Sequence, residues 1–476
     1  MSGRFVRGFV SRAASRRPAY YRDGMRRTIL IAVTPCLLLA ACGAAHTAAP
    51  GAAPSAASSA TSSAAPTGGL GSSVTPRAGG PERAAVARAR KAHDYDGDGY
   101  GDLVIGATGR VQVVHGSARG LEARPRQAVA GGRKGELFGS SVASADFDRD
   151  GHADLAIGAP AAGKGAGAVT IVHGSARGLS DRREEPAGPP SARGFGSALA
   201  AADFDGDGRA DLAVTGEDAV WVTYRITGRE GGRVAWKRLT APDPDLSLIA
   251  AGDVTGDGID DLAVANVRSE QDGRSGTIYA GSPAGLAGTL AWTFDAWGVG
   301  ALAIGDLDGD GRGELVAGNG YADAEDPGGQ LYVHSGRDGS RTVWTRSSPG
   351  MPRGAESATG LGGSVAVGDL DGDGYADVAT GATGWSGSVF VLYGGRAGLS
   401  GRGAQVFDAR STGVAAPQDV QGFGTAVVLG DFDGRDRREL AISVRAEPSV
   451  VVVSAGRGPV HLLPDPGETG FGRPLH

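Results

Sequence analysis

The stretch DYDGDGYGDL, residues 94–103, sets the pattern for most of the chain. Acidic residues occupy its first, third, fifth and ninth positions, and glycines occupy the fourth and sixth. Six related stretches follow: DFDRDGHADL from Asp146, DFDGDGRADL from Asp203, DVTGDGIDDL from Asp253, DLDGDGRGEL from Asp306, DLDGDGYADV from Asp369 and DFDGRDRREL from Asp431. The chain therefore contains a sevenfold repeat, and its acidic segments are numbered below as loops 1 to 7.

The spacing of the loops predicts the fold. Their first residues lie 52, 57, 50, 53, 63 and 62 positions apart, which suits four strands of about five or six residues with their turns. In the second repeat, strand-like segments run over 140–145, 155–159 and 168–173, with a weaker one near Arg183. Such sheets bury both faces only when they stack around an axis. Residues 82–476 are therefore predicted to form an all-β, seven-bladed β-propeller of four-stranded blades.

The acidic positions predict a metal site in each of loops 1 to 6. Glycines at the fourth and sixth positions permit a positive-φ turn that directs the carboxylates to one point. The seventh position holds residues with no shared chemistry, so it is expected to bind the ion through its backbone carbonyl. Oxygen-only coordination favours Ca²⁺ over softer transition metals and over rigid Mg²⁺. The predicted ligands are Asp94, Asp96, Asp98, Tyr100, Asp102, Asp146, Asp148, Asp150, His152, Asp154, Asp203, Asp205, Asp207, Arg209, Asp211, Asp253, Thr255, Asp257, Ile259, Asp261, Asp306, Asp308, Asp310, Arg312, Glu314, Asp369, Asp371, Asp373, Tyr375 and Asp377.

The loops are not equivalent. Thr255 replaces a carboxylate of loop 4 with a weaker hydroxyl ligand, and Glu314 lengthens the ninth side chain of loop 5. Loop 7, which begins at Asp431, has Arg435 at its fifth position and Asp436 in place of its second glycine. It is predicted to be empty, with the arginine in the place of the cation. A lone Asp-Gly stretch is better interpreted as a hairpin turn, but seven copies in register favour calcium.

Charge and cysteine content agree with a role for metal. Residues 42–476 carry 39 basic and 52 acidic side chains, a net charge of −13, which disfavours binding to nucleic acid or to anionic lipid. Six Ca²⁺ ions would bring this charge to about −1. The two cysteines, Cys36 and Cys42, both precede the repeats. Calcium is therefore expected to take the place of disulfides in holding the domain together.

The N-terminal region predicts export. Met25-Arg26-Arg27 is followed by an apolar run over 28–39 and by Leu39-Ala40-Ala41-Cys42-Gly43, which resembles the lipobox of bacterial lipoprotein signal peptides. The resemblance implies that residues 25–41 are removed and that Cys42 carries a lipid on the extracellular side of the cell membrane. An ordinary secretory signal cleaved nearby is the alternative, and it would give a secreted protein. Residues 1–24 are interpreted as an upstream extension.

Residues 42–81 are mostly Ala, Ser, Thr, Pro and Gly. They carry too little apolar bulk to offset the entropy of ordering, so a disordered tether is predicted. A mucin-like glycosylated stalk is the alternative interpretation.

Three Phe-Gly pairs make the likeness to a known family specific. Phe138-Gly139, Phe195-Gly196 and Phe423-Gly424 each lie eight residues before a loop, and Gly158-Ala159-Pro160 follows loop 2. Together they resemble the FG-GAP repeats of integrin α-subunit propellers, over about residues 86–476. The resemblance implies structural calcium on one rim of the ring and a binding surface on the opposite face.

The resemblance is uneven along the chain. Leu361-Gly362 stands in for the Phe-Gly pair before loop 6, and the pair is missing before loops 4 and 5. Gly-Ala-Pro becomes Gly-Ala-Thr at Gly106 and Gly381. Phe471-Gly472 has no loop after it, so this segment is predicted to join residues 86–91 in the first blade and close the ring, with a frayed tail as the alternative.

No catalytic site is expected. Three histidines recur at the ends of strands that are interpreted as equivalent: His115, His173 and His334. Related repeats have YAGSPAGL from Tyr279 and YGGRAGL from Tyr393 at the same place, without histidine. These segments are therefore interpreted as turns.

The expected function is binding or adhesion. The predicted protein is a monomer that recognises a protein or carbohydrate ligand on the face opposite the calcium loops, contacts the membrane only through Cys42 and binds no nucleic acid. Trp297, Tyr321 and Trp385 are candidates for stacking on a sugar or for core packing. The alternatives are a hydrolase or lyase with its site on the propeller face, and a scaffold subunit of an envelope complex.

Overall fold

The computed structural model describes residues 93–462 with gaps at 108, 122–125, 134, 218, 227–233, 240–245, 267–274, 287–292, 296–297, 321–327, 353–358, 385–386, 415–421, 436, 445–448 and 455–458. Some predictions concern residues outside this description and stay predictions. They are the extension 1–24, the signal segment 25–41, Cys42, the tether 42–81, the closing segments 86–91 and Phe471-Gly472, and the side chains Trp297, Tyr321, Trp385 and Asp436.

The first three blades are short antiparallel sheets. Blade 1 contains β1 (Leu103–Ala107), β2 (Arg110–Val114) and β3 (Gln127–Ala130). Blade 2 contains β4 (Ser141–Ala145), β5 (Asp154–Ala159), β6 (Ala168–Val172) and β7 (Arg183–Glu184), with a single helical turn α1 (Ala162–Gly165) after β5. Blade 3 contains β8 (Leu199–Ala202), β9 (Asp211–Thr215), β10 (Val220–Thr223) and β11 (Lys237–Leu239).

The other four blades follow the same order. Blade 4 contains β12 (Leu246–Gly252), β13 (Asp261–Asn266), β14 (Ser275–Tyr279) and β15 (Phe294–Asp295). Blade 5 contains β16 (Ala301–Gly305), β17 (Glu314–Asn319), β18 (Gln330–His334) and β19 (Arg341–Trp344). Blade 6 contains β20 (Leu361–Gly368), β21 (Asp377–Ala382), β22 (Ser388–Tyr393) and β23 (Ser400–Phe407). Blade 7 contains β24 (Phe423–Gly430), β25 (Glu439–Val444), β26 (Ser449–Val453) and β27 (Val460–Leu462).

The predicted fold is confirmed: the protein is an all-β, seven-bladed propeller of four-stranded blades. The four strands predicted in the second repeat agree with β4 to β7 to within about one residue. Blade 1 has three described strands because the segment before loop 1 precedes residue 93. Each loop joins the first strand of its blade to the second, and in blade 1 it leads directly into β1.

Apolar side chains between neighbouring blades make the core. The second and third strands of each blade are rich in Val, Ile and Leu, which suit a pleated surface buried on both sides. The last blade shares a core cluster with the first, because Leu103, Ile105 and Val114 lie in one cluster with Val428 and Val450. The ring of described blades is therefore closed by hydrophobic packing.

Glycines allow the blades to approach closely. The carbonyl oxygen of Gly424 lies so near Gly381 in the preceding blade that a Cβ atom there would overlap it, and Gly362 and Gly318 have the same relationship. Gly362 and Gly424 have φ of +93° and +77°, which suits glycine. Leu361 is fully buried. The Leu-Gly pair of blade 6 therefore keeps the backbone arrangement of a Phe-Gly pair and changes only the buried side chain.

Candidate metal centre

The backbone of the acidic loops turns sharply, as predicted. The fourth and sixth positions have positive φ, for example +72° at Gly97 and +91° at Gly99 in loop 1. Loop 2 has Arg149 at its fourth position and still adopts φ +60° there. This conformation strains a residue with a Cβ atom, so loop 2 keeps the shape of its neighbours at some cost.

The first carboxylate of each loop is held by the loop's own backbone. Asp94 Oδ1 accepts a hydrogen bond from the amide of Asp98 (3.1 Å), and its Oδ2 accepts one from the amide of Gly99 (2.9 Å). The same pair of bonds recurs at Asp146, Asp203, Asp253, Asp306 and Asp369. The loops are thus preorganised by the chain itself.

The ninth carboxylate is buried and ties the loop to the turn after the third strand. In blade 2, Asp154 Oδ2 accepts the amide of Phe147 (3.0 Å) and Asp154 Oδ1 accepts the amide of Gly174 (2.9 Å). Equivalent glycine amides donate to the ninth carboxylates of loops 1, 4 and 6. The HGSARGL segments are therefore structural turns, as predicted, and they brace the loops.

The structure brings the predicted acidic ligands together. In loop 1 one oxygen each of Asp94, Asp96 and Asp98 lie within 4.8 Å of one another. Loop 2 groups Asp146, Asp148 and Asp150 in the same way, and loop 3 groups Asp203, Asp205 and Asp211. Such clusters of carboxylate oxygens are the ligand set of a hard divalent cation.

Asp211 supplies an independent sign of a missing partner. Its side chain is fully buried, and its Oδ1 atom has no hydrogen-bond partner among the described residues. The reason is local: Arg225 follows Tyr224 where blade 2 has Gly174 after His173, so no bracing glycine amide reaches this oxygen. An orphaned buried carboxylate oxygen beside two other carboxylates fits a cation ligand.

The electrostatics of the loops also favour a cation. Burial, followed by the nearby carboxylates, raises the pKa of Asp211 to about 8. Burial raises the pKa of Glu314 to about 8 and that of Asp377 to about 7. Burial likewise raises the pKa of Asp94, the first residue of loop 1. When ionised, each of these carboxylates is repelled by the other acids of its own loop, and a divalent ion in that loop would relieve the repulsion.

Neighbouring loops are joined to each other. The eighth residue of one loop donates its amide to the first carbonyl of the preceding loop, as Asp260 does to Asp203 (3.0 Å) and Ala376 does to Asp306 (2.9 Å). The same bond links loops 7 and 1 through Gly101 and Asp431. The loops therefore form a nearly continuous hydrogen-bonded chain around the ring.

The seventh position has a role that the sequence did not reveal. Its side chain covers the fourth glycine of the preceding loop. A Cβ atom on Gly97 would lie 2.6 Å from the His152 ring, and one on Gly309 would lie 2.7 Å from the Tyr375 ring. Side chains of very different chemistry can cover a glycine, and this explains why the residues at the seventh position have no chemistry in common. Metal ligation by its backbone carbonyl stays a prediction.

In loop 7 the arginine at the fifth position lies beside a carboxylate of the same loop. The Nε atom of Arg435 lies 3.4 Å from Asp433 Oδ2, and Asp433 is buried. The guanidinium thus faces the third carboxylate of its own loop. Whether loop 7 holds a metal stays a prediction. In loop 4, Thr255 Oγ1 lies 3.4 Å from Asp253 Oδ1, so its hydroxyl points toward the first carboxylate.

Two histidines contact the carboxylates of the candidate metal centres, and sequence reasoning missed this. His115 Nδ1 lies 3.2 Å from Asp102 and 3.4 Å from Asp96, and His173 Nδ1 lies 3.2 Å from Asp154 and 3.4 Å from Asp148. The available signal was strand register, since Leu155 pairs with Val172 and thereby places His173 next to Asp154.

The predicted equivalence of His334 is wrong. Leu315 pairs with His334 itself, so His334 corresponds to Val172 and not to His173. Side chains alternate between the faces of a strand, and a difference of one residue turns the ring away from loop 5. His334 is buried, and its ring lies 5.9 Å from that of Phe294.

Comparison with known families agrees with this architecture. The FG-GAP repeat matches residues 138–172, 298–334 and 361–392, and the FG-GAP-like repeat matches residues 203–264. The chain contains FG-GAP repeats. The FG-GAP matches cover Phe138-Gly139 and Leu361-Gly362 and extend to residues 298–334, where the sequence shows no such pair.

Integrin alpha chains are among the relatives of this FG-GAP chain. Integrin alpha pat-2 of Caenorhabditis briggsae is 27% identical over 259 residues, which cover 54% of this chain and 18% of the relative. Human Integrin alpha-7 is 31% identical over 155 residues, 32% of this chain and 12% of the relative. Phosphatidylinositol-glycan-specific phospholipase D of Rattus norvegicus is 34% identical over 145 residues, 26% of this chain and 17% of the relative. The chain spans less than a fifth of each relative.

Solved structures with some likeness include one titled "Structure of Dos1 propeller", with TM-score 0.42 and 12% identity, covering 75% of this chain and 82% of that one. Another is titled "Crystal structure of Nidogen/Laminin Complex", with TM-score 0.38 and 10% identity, covering 76% and 93%. Among the residues that the structure describes, no helix has the length and apolarity needed to cross a membrane.

Proposed function

We propose that this FG-GAP propeller is a calcium-stabilised binding or adhesion module for a protein or glycan ligand. The observation that carries the proposal is the repeated convergence of carboxylates in the loops, with the unpartnered, buried Oδ1 of Asp211 among them. The donor atoms are oxygens on a flexible acidic turn, which suits Ca²⁺.

Calcium has a structural role in this proposal. Each loop connects the two inner strands of its blade and is hydrogen-bonded to a neighbouring loop. An ion in the loop therefore stabilises both a blade and a junction between blades. Since binding to the folded state alone adds to stability, six ions acting through this linked set would stabilise the whole ring.

The opposite rim is the proposed binding surface. The first strand of blade 6, β20, begins with Leu361-Gly362 on that rim and ends beside loop 6. The second strands end and the third strands begin on the same rim, and the number of residues between them varies from two in blade 1 to eight in blade 2 and ten in blade 5. The calcium rim is constrained by metal and by bonds between loops, whereas loops of variable length commonly carry binding residues.

A binding screen tests this proposal. The full chain is offered to glycan and surface-protein arrays in Ca²⁺ and again in chelator. Binding that requires Ca²⁺ and that is lost on shortening the 160–167 connection would support a module with its ligand on the opposite rim. Loss of binding through substitutions on the calcium rim, in a variant that keeps its melting temperature, would contradict it.

We further propose that the chain is exported and held by a lipid on Cys42, with the tether lifting the propeller away from the membrane. The sequence LAACG around Cys42 supports this. Metabolic labelling with a fatty acid tests it, because a Cys42→Ser variant should lose the label and leave the membrane fraction. Label that persists in the variant would contradict the anchor.

A hydrolase is the second candidate, and the phospholipase D relatives are the observation that favours it. Their match covers 17% of the relative, so activity is a proposal to be tested with phospholipid and glycan substrates. A scaffold role would be distinguished from ligand binding by affinity purification, which would then recover one stoichiometric partner and no soluble or polymeric ligand.

A further inference from the structure

Loop 2 differs from the other acidic loops because a buried imidazole lies at its edge. His173 is 1% exposed, and its Nδ1 atom lies 3.2 Å from Asp154 Oδ1 and 3.4 Å from Asp148 Oδ2. The relevant atoms of these three residues all lie within 4.8 Å of one another. In a tetrahedral site with bonds of about 2.0 Å, neighbouring ligand atoms are about 3.3 Å apart. The spacing of the imidazole nitrogen to both oxygens matches this value.

The second nitrogen of His173 defines the orientation of the ring. Its Nε2 atom lies 3.2 Å from Glu184 Oε1. With the proton on Nε2 and shared with Glu184, the lone pair of Nδ1 points at the oxygens of Asp148 and Asp154. A histidine that donates one N–H to a carboxylate and presents its other nitrogen is the usual arrangement around a metal-binding imidazole. A proton on Nδ1 would instead make a hydrogen bond to Asp154 Oδ1. With the proton on Nε2, a cation between the three electron-rich atoms would offset their repulsion.

We propose that loop 2 of this chain is a mixed nitrogen and oxygen site, in which His173 joins Asp148 and Asp154 and selects a borderline divalent ion such as Zn²⁺ over Ca²⁺. Imidazole nitrogen suits Zn²⁺ better than Ca²⁺, which prefers oxygen ligands alone. This inference rests on the proposed metal-binding role of the loops and changes the identity of one ion.

The site also has a resident positive group. Arg182 donates from Nη1 to Asp148 Oδ2 and from Nη2 to Glu184 Oε1 (2.9 Å), and its side chain is 46% exposed. The guanidinium belongs to a side chain that is about half exposed, so it can turn into water when a metal takes its place at Asp148. It competes with a metal for Asp148, and its removal should strengthen metal binding.

Other blades provide an internal comparison. In blade 6 the equivalent residue is Tyr393, whose environment includes the charges of Asp371 and Asp377. Its loop has the same two carboxylates and no nitrogen ligand. In blade 1 His115 occupies the position, but its side chain is 25% exposed, so a site there should be the weaker one.

The test uses the full chain saturated with Ca²⁺. Zn²⁺ is titrated calorimetrically, and Co²⁺ is used in parallel because its visible absorption reports the donor atoms. We expect Zn²⁺ binding that excess Ca²⁺ does not displace. His173→Gln should weaken the tighter binding event by at least tenfold, and Glu184→Gln should weaken it by about tenfold. Arg182→Gln should strengthen it.

His461→Gln is the matched control, because His461 contacts Thr412 (2.9 Å) and lies away from the acidic loops. It should leave Zn²⁺ binding unchanged. The gain in affinity expected of Arg182→Gln keeps the test informative if His173→Gln folds poorly. Zn²⁺ binding that Ca²⁺ abolishes, or that His173→Gln leaves unchanged, would mean that His173 forms an ion pair only and would overturn the inference.

The melting temperature in Ca²⁺ and in chelator is recorded on the same samples. A chelator effect without Ca²⁺-resistant Zn²⁺ binding would refute the mixed site and leave calcium stabilisation standing. Ca²⁺-resistant Zn²⁺ binding without any stabilisation by Ca²⁺ would support the mixed site and refute calcium as the stabilising ion.

Discussion

The carbonyl oxygen of Gly196 in blade 3 lies against the α-carbon of Gly158 in blade 2, and a Cβ atom at Gly158 would overlap it. This contact joins the Phe-Gly pair of one repeat to the Gly-Ala-Pro segment of the repeat before it. We expect Gly158→Ala to destabilise the propeller by about 1–3 kcal/mol, because two backbones must separate. Thermal or urea unfolding measures the change.

Gly395→Ala is the control for this substitution. A Cβ atom on Gly395 would meet nothing within 4 Å, and its φ is not in the positive range. The control should change stability little. Equal melting temperatures for the two variants would contradict the packing described at Gly158.

Removal of calcium should destabilise the whole ring. The loops are hydrogen-bonded to one another, as Gly313 is to Asp253 (2.6 Å). Each ion at about 100 times its dissociation constant would add about 2.7 kcal/mol to the free energy of unfolding. We therefore expect chelator to lower the melting temperature by many degrees in a single transition. A melt that chelator leaves unchanged would contradict calcium as the stabilising element.

Loops 6 and 7 should differ in metal content. Asp371 and Asp433 both occupy the third position of their loops, but Asp433 faces Arg435. Asp371→Asn should remove one Ca²⁺ per chain, and Asp433→Asn should remove none. Elemental analysis of the dialysed proteins measures the ratio. Loss of one ion in the Asp433→Asn variant would show that loop 7 is filled.

The metal-free protein should lose stability as pH rises. Burial raises the pKa values of Asp211 and Glu314 to about 8, whereas carboxyls in an unfolded chain titrate near about 4. The folded state therefore binds more protons between these values, and the free energy of unfolding falls as pH increases from about 4 to 8.

Urea unfolding in chelator at pH 5 and pH 8 checks this prediction. The midpoint should be higher at pH 5. Saturating Ca²⁺ should remove or reverse the difference, because metal ligands must be deprotonated. A chelated protein that is more stable at pH 8 would contradict the repulsion inferred for the loops.

Much of the fold could be predicted because the acidic repeat recurs clearly enough for its copies to be identified and counted. The seven loops give the number of blades, and runs of β-branched and small residues between Gly-rich turns, such as Ala168–Val172, give the strands. The buried Leu361 shows why a missing Phe did not matter: the neighbouring glycine, not the ring, sets the close approach of backbones.

The residues of the candidate metal centres were less predictable. His173 reaches Asp154 through strand pairing, and a one-residue difference in register separates it from His334. The cover that His152 provides for Gly97 depends on contact between consecutive repeats. The first relationship requires the register of two strands within a repeat, and the second requires the geometry of the neighbouring blade.

The covering of fourth-position loop glycines by a residue of the following repeat limits how the units can be exchanged. Ile259 fits over Gly206 and Tyr375 over Gly309, so a unit transplanted elsewhere in the ring would arrive with a side chain shaped for a different neighbour. Shuffled chimaeras should therefore tolerate blocks of adjacent repeats better than single ones. The smallest unit that can be transplanted with its glycine cover in place is therefore a pair of adjacent repeats.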